Sequence, residues 1–168
     1  MNEPPSDWIL YISRILFFGV FKDSWYNMAF SLHCLISSQE SNLNISLLEN
    51  ELREYFSRTS EFDLSYEEHP FDPTKQNILL TWDSWWIRVF FETGSMVQDD
   101  SREISKFAKT EDALAISSIN RRVRVLFGND DKQAYTSHII WMHEYLESRP
   151  DLIVFDPQQN IFLNSSSV

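Results

Sequence analysis

Histidine is the first residue type to consider, because imidazole binds metals and transfers protons and the chain has four of them. His138 and His143 lie on one predicted helix but are five residues apart, whereas metal ligands on a helix prefer a spacing of three or four. His33 and His69 have no neighbouring ligand at a spacing that improves on this. The sequence therefore predicts no metal site.

Two pairs of adjacent carboxylates, Asp99-Asp100 and Asp130-Asp131, have the composition of an acid/base or metal site. Each pair precedes a predicted helix, where a carboxylate accepts hydrogen bonds from free backbone N–H groups and favours the helix dipole. Asp100 and Glu103 also have the spacing of a capping box. We therefore interpret both pairs as helix caps.

Motifs for nucleophilic or nucleotide chemistry are absent from the sequence. It has no Gly-rich phosphate loop, no Gly-x-Ser-x-Gly elbow and no Cys-His pairing at a recognisable spacing, and it contains only 3 Gly. Cys34 is the only cysteine, so no internal disulfide can form, and its apolar neighbours predict a buried thiol. We expect a protein that is not an enzyme, with no catalytic residue and no cofactor. A small hydrolase with a dispersed site is the least favoured alternative.

Carboxylates are concentrated in one part of the first half. Residues 61–72 contain no Lys or Arg, and a predicted helix precedes them. Together the two segments predict a continuous negative patch that would capture a basic partner, or else an acidic face that is only solvated. The candidate binding residues of this patch are Glu49, Glu51, Glu54, Glu61, Asp63, Glu67, Glu68 and Asp72.

A second candidate surface consists of Trp86, Arg88 and Phe90, which alternate with apolar residues along a predicted strand. Trp, Arg and Phe are favoured at protein interfaces, but a helix packed on that face would make them ordinary core. Two positions are open for Arg122 and Arg124. They lie near Arg88 on that face, or they pair with the acidic helices.

The elements that position these residues centre on residues 77–109. Trp85, Ile87, Val89 and Phe91 form the apolar face of a strand, which is joined to a strand at 78–82 by a tight hairpin. Residues 25–36 fit a strand and a helix equally well by period, and we favour a strand. Further strands are predicted at 62–66, 121–127, 152–155 and 160–163, and helices at 46–58 (with a Ser46-x-x-Glu49 capping box), 101–109 and about 131–148, with a helical turn at 113–117.

This order predicts an α+β fold in one domain, 1–168, with a mainly antiparallel sheet and helices packed on it. A first helix is predicted at 7–20, where the apolar run containing Arg14 is shorter than the ~20 residues of a membrane span. Two β/α units, about 25–109 and about 121–163, should share one sheet or one core.

Composition and charge narrow the class of function. Hydrophobic residues at 43% and aromatics at 15% indicate a folded chain. A net charge of −11 argues against direct nucleic-acid binding, because it repels phosphate backbones. The acidic start without a cleavage site is unlike a signal peptide, and the lone thiol suits a reducing compartment, so we expect a cytoplasmic protein that does not bind membranes.

The chain resembles the small acidic cytoplasmic immunity proteins that accompany bacterial polymorphic toxins of contact-dependent or type VI secretion systems. The resemblance extends over the stretches 83–89, 97–101, 124–131 and 154–158. It implies a protein that binds a cognate toxin and blocks its active site, which is often basic because the toxin cuts nucleic acid. The alternative is a non-catalytic adaptor or assembly subunit whose contact is the apolar helix within Trp8 to Phe21. The sequence leaves the oligomeric state and the binding face open.

Overall fold

The computed structural model describes residues 28–69 and 72–164. Seven strands and four helices lie within this part of the chain. The strands are β1 (Met28–Ile36), β2 (Phe62–His69), β3 (Asp72–Trp82), β4 (Trp85–Thr93), β5 (Arg121–Gly128), β6 (Leu152–Asp156) and β7 (Ile161–Phe162). The helices are α1 (Ile45–Phe56), α2 (Ser95–Ser105), α3 (Thr110–Ser117) and α4 (Thr136–Ser148).

All seven strands form one antiparallel sheet in the order β2-β3-β4-β5-β1-β6-β7. The two predicted β/α units meet where β5 pairs with both β4 and β1, so they share a single sheet. The prediction of a single-domain α+β fold is confirmed. The N-terminal helix predicted at 7–20 lies outside the described residues.

The strand β4 occupies the centre of the fold and alternates as predicted. Trp85, Ile87 and Val89 are buried on one face, which we call the front face. The indole of Trp85 donates a hydrogen bond of 3.0 Å to the Gly128 carbonyl at the end of β5. A Cβ on Gly128 would lie 3.1 Å from the Trp85 ring nitrogen, so this close approach of β5 to β4 requires glycine.

The main core lies between the front face and the helices α1 and α4. Alternation places Leu32, Cys34 and Ile36 of β1 on this face, which explains why a segment with two possible periods forms a strand. Leu48, Leu52 and Phe56 recur every fourth residue and form the buried stripe of α1. From α4, Met142, Tyr145 and Leu146 complete the core.

The opposite face of the sheet, which we call the back face, holds a smaller apolar cluster under α2 and α3. Its buried members are Leu35, Ile104, Ile116, Ile119, Ile153 and Phe155. These helices cover only the region near β1 and β6 with apolar side chains. Across β2 to β5, the back face also has polar and charged residues, which are described below, beside buried apolar side chains such as Phe90 and Leu126.

The helix α2 begins earlier than the sequence predicts. Gly94 has φ 109°, in the left-handed region that favours glycine, and it lets the chain turn from β4 directly into a helix at Ser95. Asp99 and Asp100 therefore lie inside α2, and the prediction that they cap a helix at 101–109 is wrong. Ser101 is buried within the same helix and donates to the Val97 carbonyl at 2.8 Å.

Two other helix starts differ from the prediction. Asn44, not Ser46, caps α1, because its side-chain oxygen accepts a hydrogen bond of 3.0 Å from the Leu47 N–H. Asp130 accepts hydrogen bonds from the N–H groups of Ala134 and Tyr135, which lie before α4. Gln133, with φ 55°, is incompatible with a helix there, so α4 begins only at Thr136.

Most of the buried apolar side chains belong to the main core. No helix in residues 28–69 or 72–164 is long and apolar enough to cross a bilayer.

Leu52→Ala tests how the main core stabilises the fold. Leu52 is 0% exposed in the centre of the α1 stripe. Its truncation removes apolar contacts and leaves a cavity, so we expect the free energy of unfolding to fall by about 2–5 kcal/mol. Urea denaturation followed by circular dichroism measures it. Asn50→Ala, at an exposed position of α1, is the control and should leave the midpoint nearly unchanged.

Candidate functional site

The back face of the sheet contains a cluster of ion pairs that spans β2, β4, β5 and α2. We call it the back-face ion cluster. Its members are three arginines and three carboxylates, Arg88, Arg122, Arg124, Glu67, Glu92 and Asp100.

Glu92 is at the centre of this cluster. Its carboxylate accepts hydrogen bonds from Arg122 Nε at 2.6 Å and from Arg124 Nη2 at 2.7 Å. Burial by itself would raise the pKa of Glu92, but the two guanidiniums outweigh burial and lower that pKa to about 2. Arg122 also donates to Asp100 of α2 at 2.7 Å. Glu92 therefore joins two neighbouring positions of β5 to β4, and Arg122 joins β5 to α2.

Arg88 extends the cluster toward the sheet edge. Its Nε donates to Glu67 of β2 at 2.5 Å, and the same carboxylate oxygen accepts from the Asn77 amide at 2.7 Å. The Arg88 guanidinium also lies 4.1 Å from the centre of the Trp86 ring. Trp86 is partly buried and Phe90 is fully buried. Of the predicted surface of Trp86, Arg88 and Phe90, only Trp86 has substantial exposed area.

The structure shows where Arg122 and Arg124 lie, which the sequence leaves open between a position near Arg88 and pairing with the acidic helices. Arg122 and Arg124 lie on the same face as Arg88, and Arg122 also pairs with an acidic residue of a helix, Asp100. Three positive and three negative groups give the cluster a formal charge of zero. The whole net charge of −11 therefore belongs to residues outside it.

His33 of β1 borders the same cluster. Its Nδ1 lies 3.2 Å from Arg122 Nη1, which can only donate, so Nδ1 is the acceptor and the ring is neutral. Burial and, secondarily, the positive charges of Arg122 and Arg124 lower the pKa of His33 to about 3. This histidine is a structural acceptor in the ion cluster.

The predicted acidic patch does not form one continuous face. Alternation along β2 places Leu64 in the front core, so Asp63 and Glu67 point to the back face, away from α1. Glu68 shares the front side with Tyr66, whose hydroxyl donates to Glu49 of α1 at 2.6 Å. The sheet itself separates the eight acids into two groups, which the strand period would have shown.

Several of these acids already have partners within the chain. Glu49 pairs with Arg53, and Asp72 with Lys75. Glu51 accepts from the hydroxyl of Tyr145 and from Arg149. The acids of this set that are exposed to solvent are Glu54, Glu61, Asp63 and Glu68.

A depression lies between α1 and the end of α4, and we call it the inter-helix groove. It is lined by Glu51, Glu54, Tyr55, Tyr145, Ser148 and Arg149. Tyr55 is 42% exposed because it lies at the edge of the α1 stripe. Burial and the negative charge of Glu144 raise the pKa of its phenol. The sequence indicates the acids of α1, but only the packing of α4 beside α1 brings Tyr55 next to Tyr145, with ring centres 5.4 Å apart.

The remaining histidines on α4 are packed among aromatic rings. The His138 ring centre lies 4.8 Å from that of Trp82 and 5.1 Å from that of Trp141, and His143 packs near Phe30 and Phe127. Within residues 28–69 and 72–164, no group of three or more His, Cys, Asp or Glu side chains has a geometry that could hold a metal ion.

Comparisons with protein-family models, curated proteins and solved structures give no match.

Glu92→Gln tests the centre of the ion cluster. The amide leaves Arg122 and Arg124 without their shared counter-charge, and breaking one side of a buried pair costs about 3–5 kcal/mol. The pKa of Glu92 is lowered on folding, so the carboxylate stabilises the fold above its unfolded value of 4.5 and this contribution is lost as the pH falls toward 2. Urea denaturation should show a large deficit at pH 7 that narrows between pH 5 and pH 3.

Asp99→Asn is the matched control for Glu92→Gln, because it removes a carboxylate from the exposed pair with Arg102. It should leave the free energy of unfolding nearly unchanged. Equal stability of the Glu92→Gln and Asp99→Asn variants at pH 7 would show that Glu92 does not hold the cluster together.

His33→Asn tests the neutral histidine. Its pKa falls on folding from 6.5 to about 3, so the wild-type chain loses stability as the pH drops through this range. Asn keeps an acceptor for Arg122 but does not titrate. Between pH 6 and 4.5, the stability of the wild type should therefore fall more steeply than that of the variant, by about 1 kcal/mol per pH unit. Parallel pH profiles in urea denaturation would contradict this.

Proposed function

We propose that this chain is a cytoplasmic immunity protein, without catalytic activity of its own, that binds a basic bacterial toxin and occludes its active site. The observation that carries the proposal is the distribution of charge. The back-face ion cluster is neutral, so the excess of carboxylates lies elsewhere, including the exposed sides of α1, α4 and β2.

The helices α1 and α4 support this proposal because both carry their charges away from the core. They contain Glu49, Glu51, Glu54, Glu144 and Glu147 but only one basic residue, Arg53. Five carboxylates against one guanidinium give these two helices a formal charge of −4. A negative field of this kind accelerates encounter with a basic partner and repels phosphate backbones.

A toxin that cuts nucleic acid needs a basic surface to hold its substrate. An acidic protein that covers this surface competes with the nucleic acid for the same positive charges. Neutralisation in this way needs no chemistry from the inhibitor, only affinity and steric blocking. The alternative role of an adaptor depends on the apolar run Trp8 to Phe21, which is outside the described residues.

The proposal is tested with candidate secreted toxin domains encoded by genes next to that of this chain. We expect co-elution of the two proteins at 150 mM NaCl and survival of cells that express both. Because the attraction is electrostatic, the association rate should fall about tenfold or more between low salt and 500 mM NaCl.

Charge-reversal variants provide a matched comparison. Glu61→Lys/Glu68→Lys and Glu40→Lys/Glu111→Lys change the net charge equally, but only the first pair lies in or directly before the acidic strand β2. The first pair should slow association more. If no basic toxin domain encoded beside this chain binds it or is inhibited by it, the proposed immunity function is wrong.

A further inference from the structure

We propose that the inter-helix groove seats an arginine side chain of the basic partner, with its guanidinium stacked on Tyr55 and beside the carboxylate of Glu54, and with Glu144 of α4 at the border of the groove. This inference rests on the proposed function and names one docking position within it. Four features of the groove support it: its size, its exposed ring, its carboxylates and the arginine that the chain itself places there.

The size of the groove suits a side chain. Its volume is about 350 Å³. Small-molecule and cofactor pockets span roughly 300–1,000 Å³, so this groove is at the lower end of that range. It is also open to solvent along one side, which allows a side chain to enter from a docked protein surface.

The ring of Tyr55 is exposed but held in place. Its centre lies 5.1 Å from that of Phe56 and 5.4 Å from that of Tyr145. These contacts fix the ring against the helices and leave 42% of the residue exposed. An exposed aromatic face that is already ordered binds a cation with little further loss of conformational freedom.

The carboxylates beside the ring are available. Within residues 28–69 and 72–164, the side chains of Glu54 and Glu144 have neither a cation nor a hydrogen-bond donor as partner. Glu51, in contrast, is already occupied by Tyr145 and Arg149. The groove therefore has unpaired negative charge at Glu54, next to an aromatic face, and Glu144 directly precedes the groove-lining Tyr145 on α4.

Arg149 shows that the groove is suited to a guanidinium. The chain's own arginine lies at one end, where Glu51 and Asp151 hold it, with Arg149 Nε 3.1 Å from Asp151. These carboxylates outweigh burial and raise the pKa of Arg149. A second guanidinium at the other end would meet the ring of Tyr55 and the carboxylate of Glu54.

Arginine is preferred over lysine for a physical reason. The guanidinium is planar, stacks on aromatic rings and presents several donors that two carboxylates can share. An ammonium is a more strongly hydrated point charge and gains less from an open site.

The binding experiment uses a hexaarginine peptide as the probe, titrated into the full chain at 150 mM NaCl by calorimetry. Glu54→Gln/Glu144→Gln should weaken binding about fivefold, through loss of two charge-assisted contacts. Glu40→Gln/Glu111→Gln removes the same charge at exposed sites elsewhere and should weaken it less than twofold, because salt screens distant charges.

The ring is tested separately. Tyr55→Leu removes the aromatic face and should weaken hexaarginine binding about threefold, while Tyr55→Phe keeps the face and should bind like the wild type. Hexalysine should bind the wild type more weakly than hexaarginine. In ¹⁵N–¹H spectra, hexaarginine should shift amide signals of 51–58 and 141–149 most.

Equal weakening by the two charge pairs, or no binding of hexaarginine at 150 mM NaCl, would overturn the groove proposal. Either result leaves the immunity function standing if the toxin domain still co-elutes with this chain. Conversely, hexaarginine binding that depends on Tyr55, Glu54 and Glu144 supports the groove even if the toxin encoded beside this chain does not bind.

Discussion

The pairing of the Glu92 carboxylate with two arginines is the interaction on which the back-face ion cluster depends. It lies on a sheet face where Arg122 and Arg124 are adjacent on β5, and it accepts hydrogen bonds from both. A guanidinium cannot give up its proton to become neutral, so each buried one needs a counter-charge. Because Asp100 of α2 and Glu67 of β2 supply the others, pairing of charges, more than apolar contact, organises this part of the back face.

The two faces of the sheet thus bury different kinds of side chain. The front face packs apolar side chains against α1 and α4, while the back face divides between an apolar cluster under α2 and α3 and the neutral ion cluster. This division places the net charge of −11 away from the buried arginines and leaves carboxylates on helix surfaces that face solvent. The proposed capture of a basic partner follows from that separation, since a surface attracts only through charge that its own counter-ions do not cancel.

The inter-helix groove has both a paired carboxylate and an unpaired one. Glu51 is neutralised by Arg149 as the acids of the back face are by their arginines, whereas Glu54 and Glu144 beside it retain unpaired charge. The groove therefore contains one completed guanidinium site and the components of a second. A partner arginine in the second position would continue, across an interface, the type of contact that stabilises the chain itself.

The sequence by itself determined the α+β class, the alternation of β4, the tight hairpin before it and the positions of β5, β6 and β7, because these depend on period and turn chemistry within a few residues. It misplaced the starts of α2 and α4, where positive φ angles at Gly94 and Gln133 redirect the chain. Only the tertiary structure decided the site. The partners of Arg88, Arg122 and Arg124 come from strands and a helix up to 32 residues away, and the ring of Tyr55 packs near that of Tyr145, 90 residues further along the chain. No local pattern encodes such contacts, because they are fixed by how the sheet pairs and how helices pack upon it.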